Sequence, residues 1–288
     1  MKFKFRLKLK NQGVTLIELL IALVISAILI AALYRIFIGQ QKTYVVQEQV
    51  VDMQQNVRAA INKMMREIRM AGFGNVKMVL PVQFTAYGQT RTFNNVLNPD
   101  TPVAGSLTII SAISALTDSA NIISFPLSNQ ITLNKLKDNQ GDDLFNTGNK
   151  KYISIGGIES HIITNIDIKE AKLTLSGNLV YNHPSNTPVF PIKAISYQVV
   201  TEDGRPILKR DENIGGGRQP LAENVENIQF EYLNSNGAPT VNPVDIRMVR
   251  VIVTARTDRE DLDFKSGDGF RRRQIASNIQ VRNMWISQ

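Results

Sequence analysis

The first feature of the chain is an unbroken apolar run close to its N-terminus. Residues 14–34 are almost entirely aliphatic and carry a single charge, at Glu18. A helix needs about 20 apolar residues to span a hydrocarbon core about 30 Å thick, so the run predicts a membrane-spanning helix. A carboxylate costs roughly 2.5–3.5 kcal/mol near the centre of such a helix and less near its end. We therefore expect Glu18 to have a compensating partner.

Beyond this run the pattern becomes amphipathic, and no proline interrupts the chain as far as Met70. Apolar residues recur at spacings of mostly three and four, which places them in one stripe on a helix. The stripe consists of Val46, Val50, Met53, Val57, Ala60, Met64 and Ile68. We predict one helix over residues 14–70, weakened only at Gly39 and stopped by Gly72. A coiled-coil seam for a partner helix is the alternative interpretation of the stripe.

From Leu107 onward the hydrophobic period changes to two, which predicts β-strands. The predicted strands are residues 107–111, 122–125, 130–136, 152–155, 161–168, 172–175, 194–201, 207–210, 227–233, 246–255 and 277–284. The stretch 76–105 is predicted to be an irregular connection, and the Gly-rich loop 211–222 to be mobile. The fold class that follows is α+β, with one long helix packed on an antiparallel sheet.

The charge of the chain is distributed unevenly. The formal net charge is +8, but five cations and no anion lie within residues 1–12, at Lys2, Lys4, Arg6, Lys8 and Lys10. Without these five, 28 of the 33 Lys and Arg remain against 25 Asp and Glu, a net charge of +3. By the positive-inside bias we expect this end in the cytoplasm and the rest of the chain outside it. Nucleic acid is accordingly an unlikely partner by charge. The chain contains no cysteine, which excludes disulfides and thiolate chemistry.

The segment Gly13, Val14-Thr15-Leu16-Ile17 and Glu18 resembles the processing site of type IV prepilins and type II secretion pseudopilins. The resemblance implies that a prepilin peptidase cleaves after Gly13 and N-methylates Val14. Glu18 then becomes the fifth residue of the mature chain, where it meets the N-terminal amine of a neighbouring subunit. Most members of the family begin the mature chain with Phe, and this chain has Val14 there.

The alternative interpretations of the N-terminus are a secretory signal peptide and a plain single-pass anchor. A secretory signal peptide has an apolar region of 7–15 residues and a cleavage site after it, whereas here the run is longer and the glycine precedes it. A plain single-pass anchor would tolerate Glu18 near the membrane edge. The order of Gly13 and the apolar run favours the prepilin interpretation.

Two later stretches narrow the resemblance. Residues 58–74 and 270–284 are similar to PilW-type minor pilins and to their type II secretion counterpart, GspJ, and the chain length favours PilW. The implied organisation is a cleaved basic leader (1–13), a transmembrane and filament-core helix (14–38), an amphipathic helix half (39–71) and a periplasmic β-rich domain (72–288). The implied role is priming of pilus assembly from the inner membrane, with other minor pilins and the major pilin as partners through the N-terminal helix. The alternatives are a GspJ-like pseudopilin and a membrane-anchored binding domain or adhesin.

Enzymatic chemistry finds little support in the sequence. His161 and His183 lack the spacing of a catalytic triad or zinc site, and residues 215–218 lack the Lys-Ser/Thr that completes a phosphate loop. We expect no enzyme activity and no cofactor. Two charged clusters are weaker candidates for binding. An acidic run fails the EF-hand pattern but leaves a non-EF calcium loop open, and an arginine cluster is considered for DNA contact or for salt bridges between subunits. These clusters are Asp258, Glu260, Asp261, Asp263 and Asp268, and Arg271, Arg272 and Arg273 with Arg218 and Arg282.

Overall fold

A computed structural model describes residues 13–73, 82–86, 89–101, 103–113, 119–123, 129–214, 216–261, 263–265 and 267–284. The chain divides into two compact units, Met1–Val51 and Asp52–Gln288. The predicted leader, residues 1–12, lies outside the described residues.

Helix α1 (Leu16–Arg69) is 54 residues long and includes Gly39 in its interior. Its end follows the predicted stop, because Gly72 adopts a left-handed φ of +72°, which costs glycine little. The Gly72 N–H then donates to the carbonyl of Ile110, 3.0 Å away. The helix is thus one element, two residues shorter at its start and one shorter at its end than predicted.

The part of the apolar stripe from Met53 to Ile68 is buried in the second unit. Val57, Ala60, Met64 and Ile68 are at most 1% exposed, and Met53 is also buried. The spacing of three and four therefore describes the core-facing side of this part of the helix. The coiled-coil alternative is wrong for these residues, because the domain core already covers them.

A ten-stranded antiparallel sheet forms the larger part of the domain. Its strands are β3 (Leu97–Pro99), β4 (Leu107–Ala112), β5 (Ala120–Asn121), β6 (Gln130–Thr132), β7 (Tyr152–Ile155), β8 (Glu159–Asp167), β9 (Lys172–Leu175), β10 (Pro188–Glu202), β11 (Arg205–Asp211) and β12 (Gln219–Glu223). The main path runs β12-β11-β10-β7-β8-β9-β6. The 15-residue strand β10 organises the sheet, because it pairs with β5 and β7 near its start and with β4 and β11 further along.

Two smaller antiparallel sheets complete the fold. Strands β1 (Val82–Ala86) and β2 (Gln89–Phe93) form a hairpin, and β13 (Val225–Leu233), β14 (Met248–Arg256) and β15 (Arg272–Gln280) form a three-stranded sheet. The hairpin is anchored by Phe84 and Phe93, which pack with Tyr152 and Phe190 in a buried cluster. The α+β fold class is confirmed.

Several predicted element boundaries differ from the structure. The stretch predicted as an irregular connection contains β1, β2 and β3, which sequence patterning missed because these strands are short and flanked by prolines and asparagines. The loop predicted over residues 211–222 is shortened by β11 and β12, which pair across it. Residues 282–284, predicted as strand, form a 3-10 turn. In the predicted strand 122–125, Ile122 forms only an isolated bridge to Leu133, and residues 124 and 125 lie outside the described part.

Candidate functional site

The start of α1 is closed by a reciprocal pair of side chains. Thr15 directly precedes the first helical residue, and its hydroxyl accepts from the Glu18 N–H at 3.3 Å. The Glu18 carboxylate in turn accepts from the Thr15 N–H and the Thr15 hydroxyl, both at 2.9 Å. This arrangement is a capping box, which satisfies backbone donors that a helix start leaves without partners.

The capping box gives Glu18 a partner within its own chain. The carboxylate stands in the first turn, where the helix dipole favours negative charge. The resemblance to prepilins implies a second partner for this charge, the amine of a neighbouring subunit. The Thr-x-x-Glu spacing was the signal that would have identified the local partner.

The helix that follows the cap is apolar and uncovered. Its large side chains from Val14 to Ile38 are between 36% and 83% exposed. Over this part α1 is long and apolar enough to cross a membrane. An apolar surface of this extent requires lipid or other apolar helices around it.

Gly13 lies immediately before the cap, outside the helix and exposed. An added Cβ there would meet nothing within 4 Å. The structure therefore imposes no steric need for glycine at this position, and any requirement for it comes from outside the folded chain.

Both histidines of the chain converge on one buried carboxylate. Glu159 on β8 accepts from His161 Nε2 and His183 Nε2, each at 2.7 Å, and from the N–H groups of Val180 and Tyr181 at 2.7 and 3.1 Å. Burial raises the pKa of Glu159, but the hydrogen bonds outweigh burial and hold the pKa below its ordinary value. His183 is itself 1% exposed.

The cluster of Glu159, His161 and His183 links β8 to the segment before β10 by hydrogen bonds. It lacks the features of a metal site. Four donors occupy the four acceptor positions of the Glu159 carboxylate, so none is left for a cation. Among the described residues, no group of three or more His, Cys, Asp or Glu is arranged to hold a metal ion. Sequence reasoning treated the two histidines as separate residues, because their spacing alone does not reveal a common partner.

A second buried network joins α1 to the large sheet. Glu67 interrupts the buried face of the helix and accepts from the Tyr197 hydroxyl on β10 and from Arg210 Nη2 on β11, the latter at 2.9 Å. Lys63 Nζ lies 3.1 Å from the same carboxylate, and Arg210 also pairs with Glu212 at 2.8 Å. Burial raises the pKa of Glu67, yet the hydrogen bonds from Arg210 and Tyr197 lower it below the ordinary value.

The predicted charged clusters are largely paired with each other. Arg271 Nη2 lies 2.7 Å from Asp261, and Arg272 forms ion pairs with both Glu226 and Asp268, at 2.7 and 2.6 Å. These contacts engage two of the three adjacent arginines and two carboxylates of the proposed calcium loop. Less charge is thereby left for DNA phosphates or for a cation.

The start of the helix matches a known sequence motif. A family model described as the prokaryotic N-terminal methylation motif matches residues 8–34, a span that contains Gly13, the capping box and the apolar run. The chain is therefore type IV pilin-like at its N-terminus, with a helix able to anchor it in a membrane. Neither the curated proteins nor the solved structures compared with the chain gave a match.

Proposed function

We propose that the chain is a minor pilin of PilW type that primes assembly of a type IV pilus and has no enzymatic role. The observation that carries the proposal is the arrangement at the start of α1. A glycine outside the helix precedes a capped carboxylate, and an uncovered apolar helix follows directly. The match to the methylation motif over the same residues supports this interpretation.

The proposed mechanism begins with cleavage after Gly13 by a prepilin peptidase, followed by methylation of the new amine at Val14. The positive amine then stands one residue before the helix cap. Before assembly, Thr15 partners Glu18 within the chain. During assembly, the carboxylate of Glu18 pairs with the amine of a neighbouring subunit, since two charges removed from water together are tolerable when they are paired.

The exposed apolar surface of α1 supplies the rest of the contact. Helices that already lie in lipid gain little from ordinary hydrophobic burial, so close packing and a charge pair in a low-dielectric setting determine their register. In this proposal the domain lies in the periplasm and the basic leader lies in the cytoplasm before it is removed. The partners are other minor pilins and the major pilin.

A GspJ-like pseudopilin of type II secretion is the second candidate, because the same motif serves both systems. The genes beside the coding sequence separate the two: pilus genes support the first assignment and genes of the secretion apparatus support the second. A membrane-anchored binding domain or adhesin that never polymerises is the third candidate.

Mass spectrometry of the mature N-terminus tests the pilin mechanism. The membrane-extracted chain is expected to begin at Val14 and to carry an added methyl group. The same chain expressed in cells that lack the peptidase serves as the control and is expected to retain Met1. Retention of Met1 in cells that contain the peptidase would contradict the proposal and favour the uncleaved anchor.

A further inference from the structure

Strand β15 forms one edge of the three-stranded sheet. All nine of its residues align with β14 in a continuous register, from Arg272 opposite Arg256 to Gln280 opposite Met248. Among the described residues, its other side has no strand partner. A row of main-chain donors and acceptors is therefore open along that side.

Two hydrogen bonds that flank β15 show which residues form the open row. The Thr257 N–H donates to the Arg271 carbonyl, and the Val281 N–H donates to the Arg247 carbonyl, both at 2.9 Å. Residues 271 and 281 thus direct their main-chain groups toward β14. Because these groups alternate along an antiparallel strand, the even-numbered residues of β15 direct theirs away from it. They are Arg272, Gln274, Ala276, Asn278 and Gln280, and all five are exposed.

From Gln274 to Gln280 this edge lacks the features that normally prevent strands from pairing with other chains. Natural proteins shorten edge strands or place prolines, bulges and charges on them. Residues 274–280 contain neither a charge nor a proline, and the register to β14 contains no shift. The two ends of the main path of the large sheet are protected, since β12 contains Pro220 and pairs through a register shift, and β6 has three residues.

The charges around β15 indicate the chemistry of a partner. Arg272 is paired internally, whereas Arg273 is exposed and makes no ion pair within the described part of the chain. Arg282 follows the other end of the strand and is also exposed. No Asp or Glu occurs in residues 269–288. A second copy of β15 would bring only further cations to this edge, while an acidic strand would neutralise Arg273.

We propose that the open edge of β15 binds an extended acidic segment of a different polypeptide chain by strand addition. Main-chain hydrogen bonds to the even-numbered residues provide the pairing, and Arg273 selects for a carboxylate at the adjoining end of the segment. The proposal goes beyond the pilin assignment and does not depend on it.

Peptide binding to the full chain in detergent micelles tests this proposal. The probe is a fluorescent synthetic peptide of the same length as β15. Threonine and valine alternate along this peptide, and glutamates stand at its ends. Binding is measured by fluorescence polarisation. A peptide with lysines in place of the glutamates is expected to bind about tenfold more weakly at low ionic strength, and this difference is expected to become smaller in Arg273→Ala. A peptide N-methylated on every amide is expected not to bind.

Substitutions at Ala276 separate strand addition from other modes of binding. Ala276→Pro removes an outward-facing N–H without breaking the ladder to β14, and we expect it to weaken binding about tenfold. Ala276→Val keeps the N–H and is expected to bind as the wild type does. Ala276→Glu keeps every main-chain group and adds a charge that repels the acidic peptide, which covers the case in which the proline variant does not fold.

Three results would overturn the proposal. The first is that the folded wild-type chain binds none of the peptides. The second is equal affinity for the acidic and basic peptides, or full binding by both Ala276→Pro and Ala276→Glu. The third is self-association of the full chain that Ala276→Pro abolishes in sedimentation experiments, which would assign the edge to a second copy of the chain.

Discussion

Four hydrogen bonds converge on the Glu159 carboxylate, and no motif in the sequence predicts them. Its two oxygens accept two histidine and two main-chain donors, and these donors lie on β8 and on the segment between β9 and β10. That segment also carries the side chains of Val180 and Tyr181, which are 78% and 55% exposed. The carboxylate therefore holds the backbone at Val180 and Tyr181, two residues whose own side chains are not buried.

Glu159→Gln is expected to destabilise the chain by about 2 kcal/mol, because the amide nitrogen that replaces one oxygen faces two donors. The effect should be local as well as global, with faster hydrogen exchange at the amides of Val180 and Tyr181. Urea unfolding of the full chain in detergent, followed by circular dichroism, measures the first effect, and exchange mass spectrometry measures the second.

The matched control for this change is Glu170→Gln. Glu170 lies in the turn between β8 and β9, and its substitution removes an exposed ion pair with Lys172. Exposed pairs contribute roughly 0–1 kcal/mol, so its effect should be small. Equal destabilisation by the two variants would show that Glu159 has no special role in holding the segment.

At the scale of elements, α1 is fixed on the sheet by an apolar stripe and by one buried charge network. The network has a pH dependence whose sign follows from the lowered pKa of Glu67. A carboxylate with a depressed folded-state pKa contributes its full stability above its ordinary pKa of 4.5, and the contribution is lost as the pH falls through the folded-state value.

Glu67→Gln is therefore expected to cost about 3 kcal/mol at neutral pH, because it leaves Arg210 without its buried partner. The difference from the wild type should begin to shrink as the pH falls below about 4.5 and should be smallest below the lower folded-state pKa, where the folded wild-type carboxylate also becomes neutral. Urea unfolding of both chains across this pH range provides the measurement. Glu231→Gln, which removes an exposed pair with Arg250 at 3.4 Å, is the control and should run parallel to the wild type. A constant difference at all pH values would contradict the role of Glu67 ionisation.

The packing of the stripe is tested by two adjacent alanines. Ala60 is fully buried and Ala59 is exposed. Ala60→Leu is expected to destabilise the chain by about 1–3 kcal/mol through overpacking, while Ala59→Leu should change stability by at most about 0.5 kcal/mol. Thermal unfolding of the two variants measures the contrast. Similar melting temperatures for both would mean that the helix does not pack on this face.

The same elements show how far the sequence predicts the structure. The spacing along α1 identified the buried face from Met53 to Ile68, because helix periodicity is a local property. Strand β10 was predicted to begin at Ala194 but begins at Pro188, since prolines normally argue against a strand interior. Pro188 and Pro191 are accommodated where β10 pairs with β5 and β7, before it takes β4 and β11 as partners.

The buried polar contacts were beyond prediction for a related reason. Tyr197 and Arg210 lie 130 and 143 residues from Glu67 in the chain, and no local pattern encodes such a meeting. The motif around Gly13 and Glu18, by contrast, is predicted from a few contiguous residues, and a family model matches it. The cap lies in the same residues, because the Thr-x-x-Glu spacing is local.

At the scale of the whole molecule, the two units differ in how far their apolar residues are buried. The domain buries most of its apolar residues in its own core, whereas the large apolar side chains from Val14 to Ile38 remain exposed. Glu18 stands at the start of this exposed surface, where it has a partner in its own chain and is proposed to exchange it for a neighbour's amine. The exchange makes the assembly of subunits separable from the folding of each subunit.

Glu18→Ala is accordingly expected to leave cleavage after Gly13 intact and to reduce piliation severely. The loss of the cap should cost about 1 kcal/mol at the helix start, too little to unfold a chain whose core lies elsewhere. The loss of the charge pair removes the interaction that determines register between helices in lipid. Electron microscopy of surface pili together with mass spectrometry of the processed N-terminus measures both consequences. Glu48→Ala, an exposed change on the same helix, should assemble normally. Wild-type piliation in Glu18→Ala would remove the proposed role of the carboxylate, whereas loss of cleavage would place that role in recognition by the peptidase.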